Sequence, residues 1–179
     1  MKHQNHTTTR RIHWLMAGLI LFLLSLGFYM KNTESYQFYA LHKSFGVLAF
    51  IAIWVRLYWR SKQPWQSFSK DQPYEKWVTA VHWCLLALLL LMPLSGLMLS
   101  GFGGYGVSLF GIPLIAENRN IAGEAQAYSQ VLSDIGYASH EVIGYLFAGL
   151  IGLHILAALK HHFIDKDATL LRMLGKDTN

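Results

Sequence analysis

The fold of the chain is decided by residues 137–162, which read YASHEVIGYLFAGLIGLHILAALKHH. His140 and His154 are fourteen residues apart in this stretch. On a helix of about 100° per residue, that spacing leaves their imidazoles about 40° apart on one face and about 21 Å apart along the axis. Almost every residue between them is apolar, and a bilayer core is about 30 Å thick. The stretch therefore predicts a membrane-spanning helix with one histidine near each edge.

The composition of the whole chain is that of a membrane protein. Of its 179 residues 53% are hydrophobic and 14% are charged, and the charges lie between long apolar runs. The single cysteine, Cys84, rules out a disulfide framework and a Cys-x-x-Cys-His motif for covalent haem attachment. We expect one membrane domain over residues 1–179 and an all-α fold, an integral membrane four-helix bundle.

The apolar runs and the polar segments between them predict the helices and connections. The four spans are expected at about 12–30, 38–59, 77–99 and 135–159. The segment 60–76 contains Lys62, Lys70, Pro64 and Pro73 and is predicted to be a loop. Residues 100–134 form the long connection, and its apolar, glycine-rich first part is expected in the membrane interface. A polar tail is expected after the fourth span.

The basic residues indicate how the bundle is oriented. Of the fifteen Lys and Arg residues, only Lys31, Lys43 and Arg119 fall on the side of the 100–134 connection. By the positive-inside rule, both termini are expected to be cytoplasmic and this connection periplasmic. The +5 net charge thus reflects topology, because the basic residues follow no groove-binding motif. Membrane lipid is an expected partner and nucleic acid is not.

Five histidines fall within the predicted spans at two depths. The inner level has His13, His82 and His154, and the outer level has His42 and His140. Ionisable groups in a membrane are costly unless they have a partner, so each of the five is a candidate functional residue. At the inner level, three candidates compete for the two ligand positions of one metal.

The chemistry of the histidines favours haem over a bare metal ion. No span carries a central Asp or Glu of the kind that metal-transport paths usually add, whereas a bis-histidine haem needs only the two imidazoles. Glycines recur on the histidine faces and would allow a macrocycle to approach the backbone, at Gly27, Gly46, Gly96 and Gly144. Gly27 and Gly96 each follow an inner histidine by fourteen residues, so their helices should present a glycine at the outer level. Ordinary helix packing is the alternative explanation for such glycines.

Two cations are candidates for neutralising haem propionates. Arg56 follows His42 by fourteen residues and so lies on the same face at the inner level. Lys43 is the corresponding candidate for a propionate contact at the outer level. For Arg56, a purely topological role as a positive-inside residue is the alternative.

Several short motifs, spread over nearly the whole chain, carry a family resemblance. They are Arg11-Ile-His-Trp14, His42-Lys-Ser-Phe-Gly46, Pro93-Leu-Ser-Gly96, Phe110-Gly-Ile-Pro113, Ser139-His-Glu141, Gly152-Leu-His154 and His161-His-Phe163. With these motifs, the chain resembles the bacterial cytochrome b561 family of the inner membrane. It is similar, more distantly, to the dihaem b-type subunits of formate dehydrogenases and nickel-iron hydrogenases.

The resemblance implies ligands for two non-covalently bound haem b groups. In that family the fourth helix supplies one ligand to each haem. Carried over, His42 and His140 hold the outer haem, and His13 and His154 hold the inner one. His82 then becomes a propionate or quinone contact, with a merely hydrogen-bonded histidine as the alternative.

The resemblance also implies a function. A multi-pass dihaem cytochrome of the bacterial inner membrane would transfer single electrons between a donor and the quinone pool. One branch of the family consists of superoxide oxidases that reduce ubiquinone, so ubiquinone is the expected acceptor and superoxide or a redox protein the expected donor. Two alternatives remain open: a membrane-anchor cytochrome b subunit of a multi-subunit dehydrogenase, and a histidine-based metal transporter.

Overall fold

A computed structural model of the chain describes residues 2–63 and 75–176, with side chains from residue 7 onwards. In chain order its elements are α1 (Lys2–Thr33), a 3-10 turn (Tyr36–Phe38), α2 (Tyr39–Lys62), α3 (Glu75–Phe102), β1 (Val107–Leu109), β2 (Ile112–Ile115), α4 (Gln130–Phe163) and α5 (Thr169–Leu174). The predicted loop 60–76 is shorter than expected, since helices occupy both of its edges. Its Pro64, Lys70 and Pro73 lie outside the described residues.

Four of these helices are long and apolar enough to cross a membrane, which confirms the prediction of four spans. The candidate spans are Thr7–Thr33, Tyr36–Lys62, Glu75–Phe102 and Gln130–Phe163. Only 6% of the most apolar window of the last span is buried within the protein, so most of its apolar surface faces outward, as lipid contact requires. The helices extend beyond the ends of the predicted spans, because each residue added to an existing helix gains one backbone hydrogen bond.

The helices pack as two pairs that meet at one core. At the crossing of α3 and α4, a Cβ at Gly136 would lie only 2.8 Å from Leu99 Cα, so a glycine is needed there. Ser133 Oγ donates to Leu99 O at 3.2 Å beside this crossing. Helices α1 and α2 are joined near the start of α1, where Trp59 Nε1 donates to Thr9 Oγ1 at 2.9 Å.

The buried core lies at mid-depth in the bundle. Each spanning helix contributes one buried residue, none more than 8% exposed: Met16, Ile53, Leu89 and Phe147. Phe147 is seven residues from both His140 and His154, which places this apolar layer about 10 Å along the helix from each. The core therefore separates the outer histidine level from the inner one.

The 100–134 connection corrects the expectation of an all-α chain. Strands β1 and β2 form an antiparallel hairpin, with Phe110 and Gly111 at positive φ in its turn. Ser44 Oγ on α2 accepts from Phe110 N at 2.9 Å and lies 3.2 Å from Ser108 O, so it holds the hairpin against the bundle. Backbone groups of this non-helical segment are thus paired in a short sheet. We call this side of the bundle the hairpin end.

The opposite side, which we call the basic end, carries the start of α1, the end of α2 and the start of α3. Arg60 near the end of α2 lies over the Trp83 ring of α3, 5.7 Å from its centroid. The predicted polar tail contains the short helix α5, which lies against α1 here. Trp14 Nε1 donates to Met173 O at 2.8 Å, so the tail is held to the bundle.

Candidate functional site

The outer histidine pair is brought together as the sequence predicts. His42 on α2 and His140 on α4 have ring centroids 6.2 Å apart, and their planes are 84° apart. Metal–imidazole bonds are about 2.0–2.1 Å long, so two imidazoles that coordinate one ion from opposite sides have centroids about 6 Å apart. The pair therefore fits two axial ligands of a single iron.

Hydrogen bonds fix the His140 ring in a ligand-compatible tautomer. Its Nδ1 lies 3.0 Å from Met92 O, and because a carbonyl only accepts, Nδ1 must carry the hydrogen. Ser95 Oγ, 3.1 Å from the same nitrogen, also donates to Met92 O at 2.8 Å. Nε2 therefore keeps its lone pair, as a metal-binding histidine requires. We did not predict a functional role for Ser95 from the sequence. A lone serine just before Gly96 in an apolar span nevertheless indicates one.

Glycines contact both outer imidazoles. A Cβ at Gly27 on α1 would lie 3.4 Å from His42 Cε1, and one at Gly96 on α3 would lie 3.1 Å from His140 Cε1. This confirms the prediction that α1 and α3 present glycines at the outer level. Each outer ring thus lies close to the backbone of a neighbouring helix.

Space and an unsatisfied nitrogen accompany the outer pair. His42 Nδ1 is buried and has no hydrogen-bond partner within the described residues. A Cβ at Gly46, one turn further along the same face of α2, would meet no atom within 4 Å. A Cβ at Gly144 would lie 3.4 Å from Met92 Cε. A buried polar ring with open space beside it is more typical of a site for a flat ligand than of a packed core.

The inner level brings three histidines and an arginine together. His82 and His154 have ring centroids 5.5 Å apart with planes 80° apart, and His82 Nδ1 donates to Val78 O at 2.8 Å. His13 lies within electrostatic range of His82, His154 and Arg56. The ring contact therefore joins His82 to His154, and the pairing of His13 with His154 stays a prediction.

The two predicted propionate contacts differ in their surroundings. Among the described residues, the Arg56 side chain has no hydrogen bond and no carboxylate partner, although it lies beside the inner histidines. Lys43 Nζ donates to Tyr105 O and Gly106 O, both at 3.0 Å. Lys43 thus ties the connection to α2 and has one N–H left, while Arg56 is available for an anion. Both propionate contacts stay predictions.

The other cations of the hairpin end are paired with carboxylates. Lys31 forms an exposed ion pair with Glu141, the residue after His140. Arg119 Nε donates to Glu117 Oε2 at 2.6 Å, and this hydrogen bond lowers the pKa of Glu117. Together with the bonds of Lys43, these contacts engage the three cations that the sequence places on this side.

A further group of metal-ligand side chains lies outside the histidine pairs. At the end of α4, His161 Nδ1 lies 3.0 Å from Asp165 Oδ2 and 2.8 Å from Asp167 Oδ2. Within residues 2–63 and 75–176, this is the one place where three or more such side chains meet. Within those ranges the paired histidines of the spans form no such group with carboxylates, an arrangement that suits haem ligation.

The sequence is similar to known proteins over almost its whole length. The sequence matches the family described as prokaryotic cytochrome b561 over residues 5–176. It is 34% identical to cytochrome b561 homolog 2 of Escherichia coli (strain K12), over 93% of this chain and 89% of the relative. It is 29% identical to the probable superoxide oxidase CybB of Yersinia pestis, over 92% of each chain. Cytochrome b561 homolog 1 of E. coli (strain K12) is 27% identical, over 92% of this chain and 93% of that protein.

The family match and the fold both indicate a membrane protein. Four spanning helices and bacterial relatives of this kind make the chain a multi-pass protein of the bacterial inner membrane. The family implies a b-type haem, and imidazole nitrogens such as those of the paired histidines are common haem ligands. The match extends over nearly the entire chain, so the chain belongs to the prokaryotic cytochrome b561 family of membrane b-type cytochromes.

Proposed function

We propose that the chain is a dihaem cytochrome that carries single electrons between a donor and the quinone pool of the inner membrane. Family membership accounts for b-type haem and electron transfer. The number of haems rests on one observation, that histidines cluster at two depths on opposite sides of the apolar core. When bound, each haem supplies an iron that accepts and releases one electron reversibly.

Helix α4 supplies one ligand at each depth in this proposal. His140 and His42 hold the outer haem, as their 6.2 Å centroid separation and the open space at Gly46 support. His154 and His13 hold the inner haem, an assignment supported by the family resemblance and by the electrostatic proximity of His13 to His154. His82, fixed to its own backbone carbonyl, contacts a propionate or a quinone beside them.

Arg56 is proposed to balance the charge of the inner haem. A guanidinium within a spanning helix is costly unless an anion accompanies it, and the described residues offer it no carboxylate. A propionate beside His13 and His154 would meet that need. Lys43 contributes the same charge at the outer level with its one remaining N–H, while its other bonds hold the connection in place.

The orientation of the bundle follows from the distribution of basic residues. The basic end, with both termini, is proposed to be cytoplasmic and the hairpin end periplasmic. Electrons then enter at one histidine level, pass along α4 and leave at the other level. Ubiquinone is the proposed acceptor, and it takes two electrons and two protons to form the quinol.

Superoxide oxidation is a second candidate, favoured by the resemblance to a probable superoxide oxidase. In that reaction two superoxide anions each give one electron and leave as oxygen, and ubiquinone takes both electrons. However, Lys31 and Arg119 are paired with carboxylates, so among the hairpin-end cations only Lys43 has no ion pair within the described residues, and the positive charge offered to an approaching anion is small. Electron transfer to quinone is therefore the main proposal, and superoxide is the donor to be tested.

The haem content of single histidine variants tests the ligand assignment. The wild-type protein should bind two haems per chain, and His140→Ala and His154→Ala should each lose one. His13→Ala should lose the inner haem, while His82→Ala, the matched control from the same cluster, should keep both. Loss of haem in His82→Ala with two haems retained in His13→Ala would instead make His82 the partner of His154. A single haem in the wild type would disprove the dihaem proposal.

Rapid mixing tests the two ends of the electron path. The reduced protein is mixed with ubiquinone and the oxidised protein with superoxide, and the haem absorption is followed. Oxidation by ubiquinone supports the main proposal, and reduction by superoxide supports the second candidate. A protein inert to both, which co-purifies with a soluble flavin or iron-sulfur protein, would be a membrane-anchor subunit.

A further inference from the structure

A groove at the basic end is separate from both histidine clusters. It has a volume of about 930 Å³ and lies between the start of α1 and the tail helix α5. Helix α1 contributes Arg10, Arg11 and Trp14 to its lining, and the tail contributes Met173 and Leu174. These residues have no role in the proposed electron path, so the groove requires a separate explanation.

Hydrogen bonds across the groove hold its two sides together. Arg10 Nη1 donates to Arg172 O at 3.4 Å, and Arg10 Nη2 donates to Thr7 Oγ1 at 3.1 Å. Trp14 Nε1 donates to Met173 O at 2.8 Å. These bonds satisfy carbonyls at the carboxyl end of α5 and fix the Arg10 guanidinium at the rim. The groove is therefore preformed and its cationic rim has a defined position.

The rim of the groove is cationic, and none of the described residues that line the groove is acidic. Arg11 is exposed, and the part of the chain that the structure describes gives its side chain no hydrogen bond and no ion pair. The tail carboxylates within the described residues are bound elsewhere: Asp165 contacts Lys160, and Asp167 contacts His161. Two arginines adjacent in sequence thus face an open groove, and the described residues neutralise little of their positive charge.

The rest of the groove is apolar and continuous with the surface of the spans. Leu15 is 75% exposed and Leu174 is 53% exposed. Trp14 lies between these leucines and the arginines, as aromatic residues do at the membrane interface. A cationic rim above an apolar surface matches a molecule with an anionic head and hydrocarbon chains.

We propose that this groove binds an anionic phospholipid of the leaflet at the basic end. Its phosphodiester would contact Arg10 and Arg11, whose planar guanidinium groups form paired hydrogen bonds with phosphate oxygens. Its acyl chains would lie along Leu15 and Leu174. Basic pockets at the ends of membrane helices bind anionic headgroups by the same chemistry. The site also ties the tail to α1, so its lipid should stabilise the docked position of α5.

Lipid titration of the purified, haem-loaded protein in neutral detergent tests the site. Phosphatidylglycerol, phosphatidylcholine or inorganic phosphate is added, and the unfolding temperature is followed by circular dichroism. Phosphatidylglycerol should raise this temperature at lower concentrations than phosphatidylcholine, and phosphate alone should have no effect. Arg11→Gln should weaken the response to phosphatidylglycerol by about fivefold, and Arg10→Gln with Arg11→Gln by about 25-fold.

Arg60→Gln is the matched control, because Arg60 is a cation of the same end that lies over Trp83, outside the groove. Its response to phosphatidylglycerol should equal that of the wild type. Equal responses to both lipids, competition by inorganic phosphate, or an equal loss in Arg60→Gln would each overturn the proposal. If the double variant fails to fold, Arg11→Gln alone decides, since the exposed Arg11 side chain makes no contact that the described fold requires.

Discussion

Gly96→Ala should weaken the outer site through the position of the His140 ring. The added Cβ would lie 3.1 Å from His140 Cε1 and 3.3 Å from its Nδ1. Favourable carbon contacts begin at about 3.5 Å, so the ring must move by about 0.4 Å. That movement lengthens the 3.0 Å bond from Nδ1 to Met92 O, which fixes the ligand tautomer.

The size of the effect follows from two independent estimates. Overpacking a well-packed site costs about 1–3 kcal/mol, and the loss of an outer-shell partner of a metal ligand costs about 10–100-fold in metal affinity. Both are consistent with an outer haem that binds about tenfold more weakly, or about 1.4 kcal/mol. Haem titration of the haem-depleted protein, with the two haems resolved by their redox midpoints, measures this change.

Gly149→Ala is the matched control for this prediction. Gly149 follows His140 by nine residues, which places it on the opposite face of α4, and a Cβ there meets no atom within 4 Å. The control should bind both haems as the wild type does. If Gly96→Ala behaves like Gly149→Ala, or loses the inner haem instead, the inferred contact between Gly96 and His140 does not constrain the ligand.

The remaining predictions concern the hairpin end. Ser44→Ala removes the side-chain bonds to the hairpin, at about 1 kcal/mol each, so hydrogen exchange at residues 107–115 should speed up. Lys31→Met breaks the exposed pair with Glu141 and should leave the free energy of unfolding, measured by denaturant titration, almost unchanged. The bond from Arg119 lowers the pKa of Glu117, so its stabilisation is present above about pH 4.3 and lost as pH falls through the lowered pKa. Thermal unfolding from pH 6 to pH 3 should therefore show a larger loss of stability in the wild type than in Glu117→Gln, because the other carboxylates titrate in both proteins.

Hydropathy and helical periodicity predicted the spans and the depth of each histidine. Depth along a helix is a local property, which is why the face shared by His140 and His154 could be read from their spacing. The contacts of Gly27 and Gly96 with the outer histidines were predictable for the same reason. Each follows an inner histidine by four helical turns.

Contacts between helices were harder to predict, because periodicity does not tell which helices are neighbours. Three histidines share the inner depth, and the sequence alone could not say that the His82 ring would contact His154. Bonds from side chains to distant backbone groups, such as that from His140 to Met92, leave no periodic signal. The hairpin was missed because its turn depends on Phe110 at positive φ, a conformation that a phenylalanine rarely adopts.

The layer formed by Met16, Ile53, Leu89 and Phe147 has an electrical consequence. Dry, tightly packed apolar side chains resist the passage of protons and ions, which need water or polar groups to follow. An electron that crosses between the two histidine levels would therefore move without a compensating cation. Moving one charge across the whole membrane is worth about 2.3 kcal/mol per 100 mV. The rate of quinone reduction should accordingly depend on membrane voltage, slowing when the compartment that receives the electrons is negative.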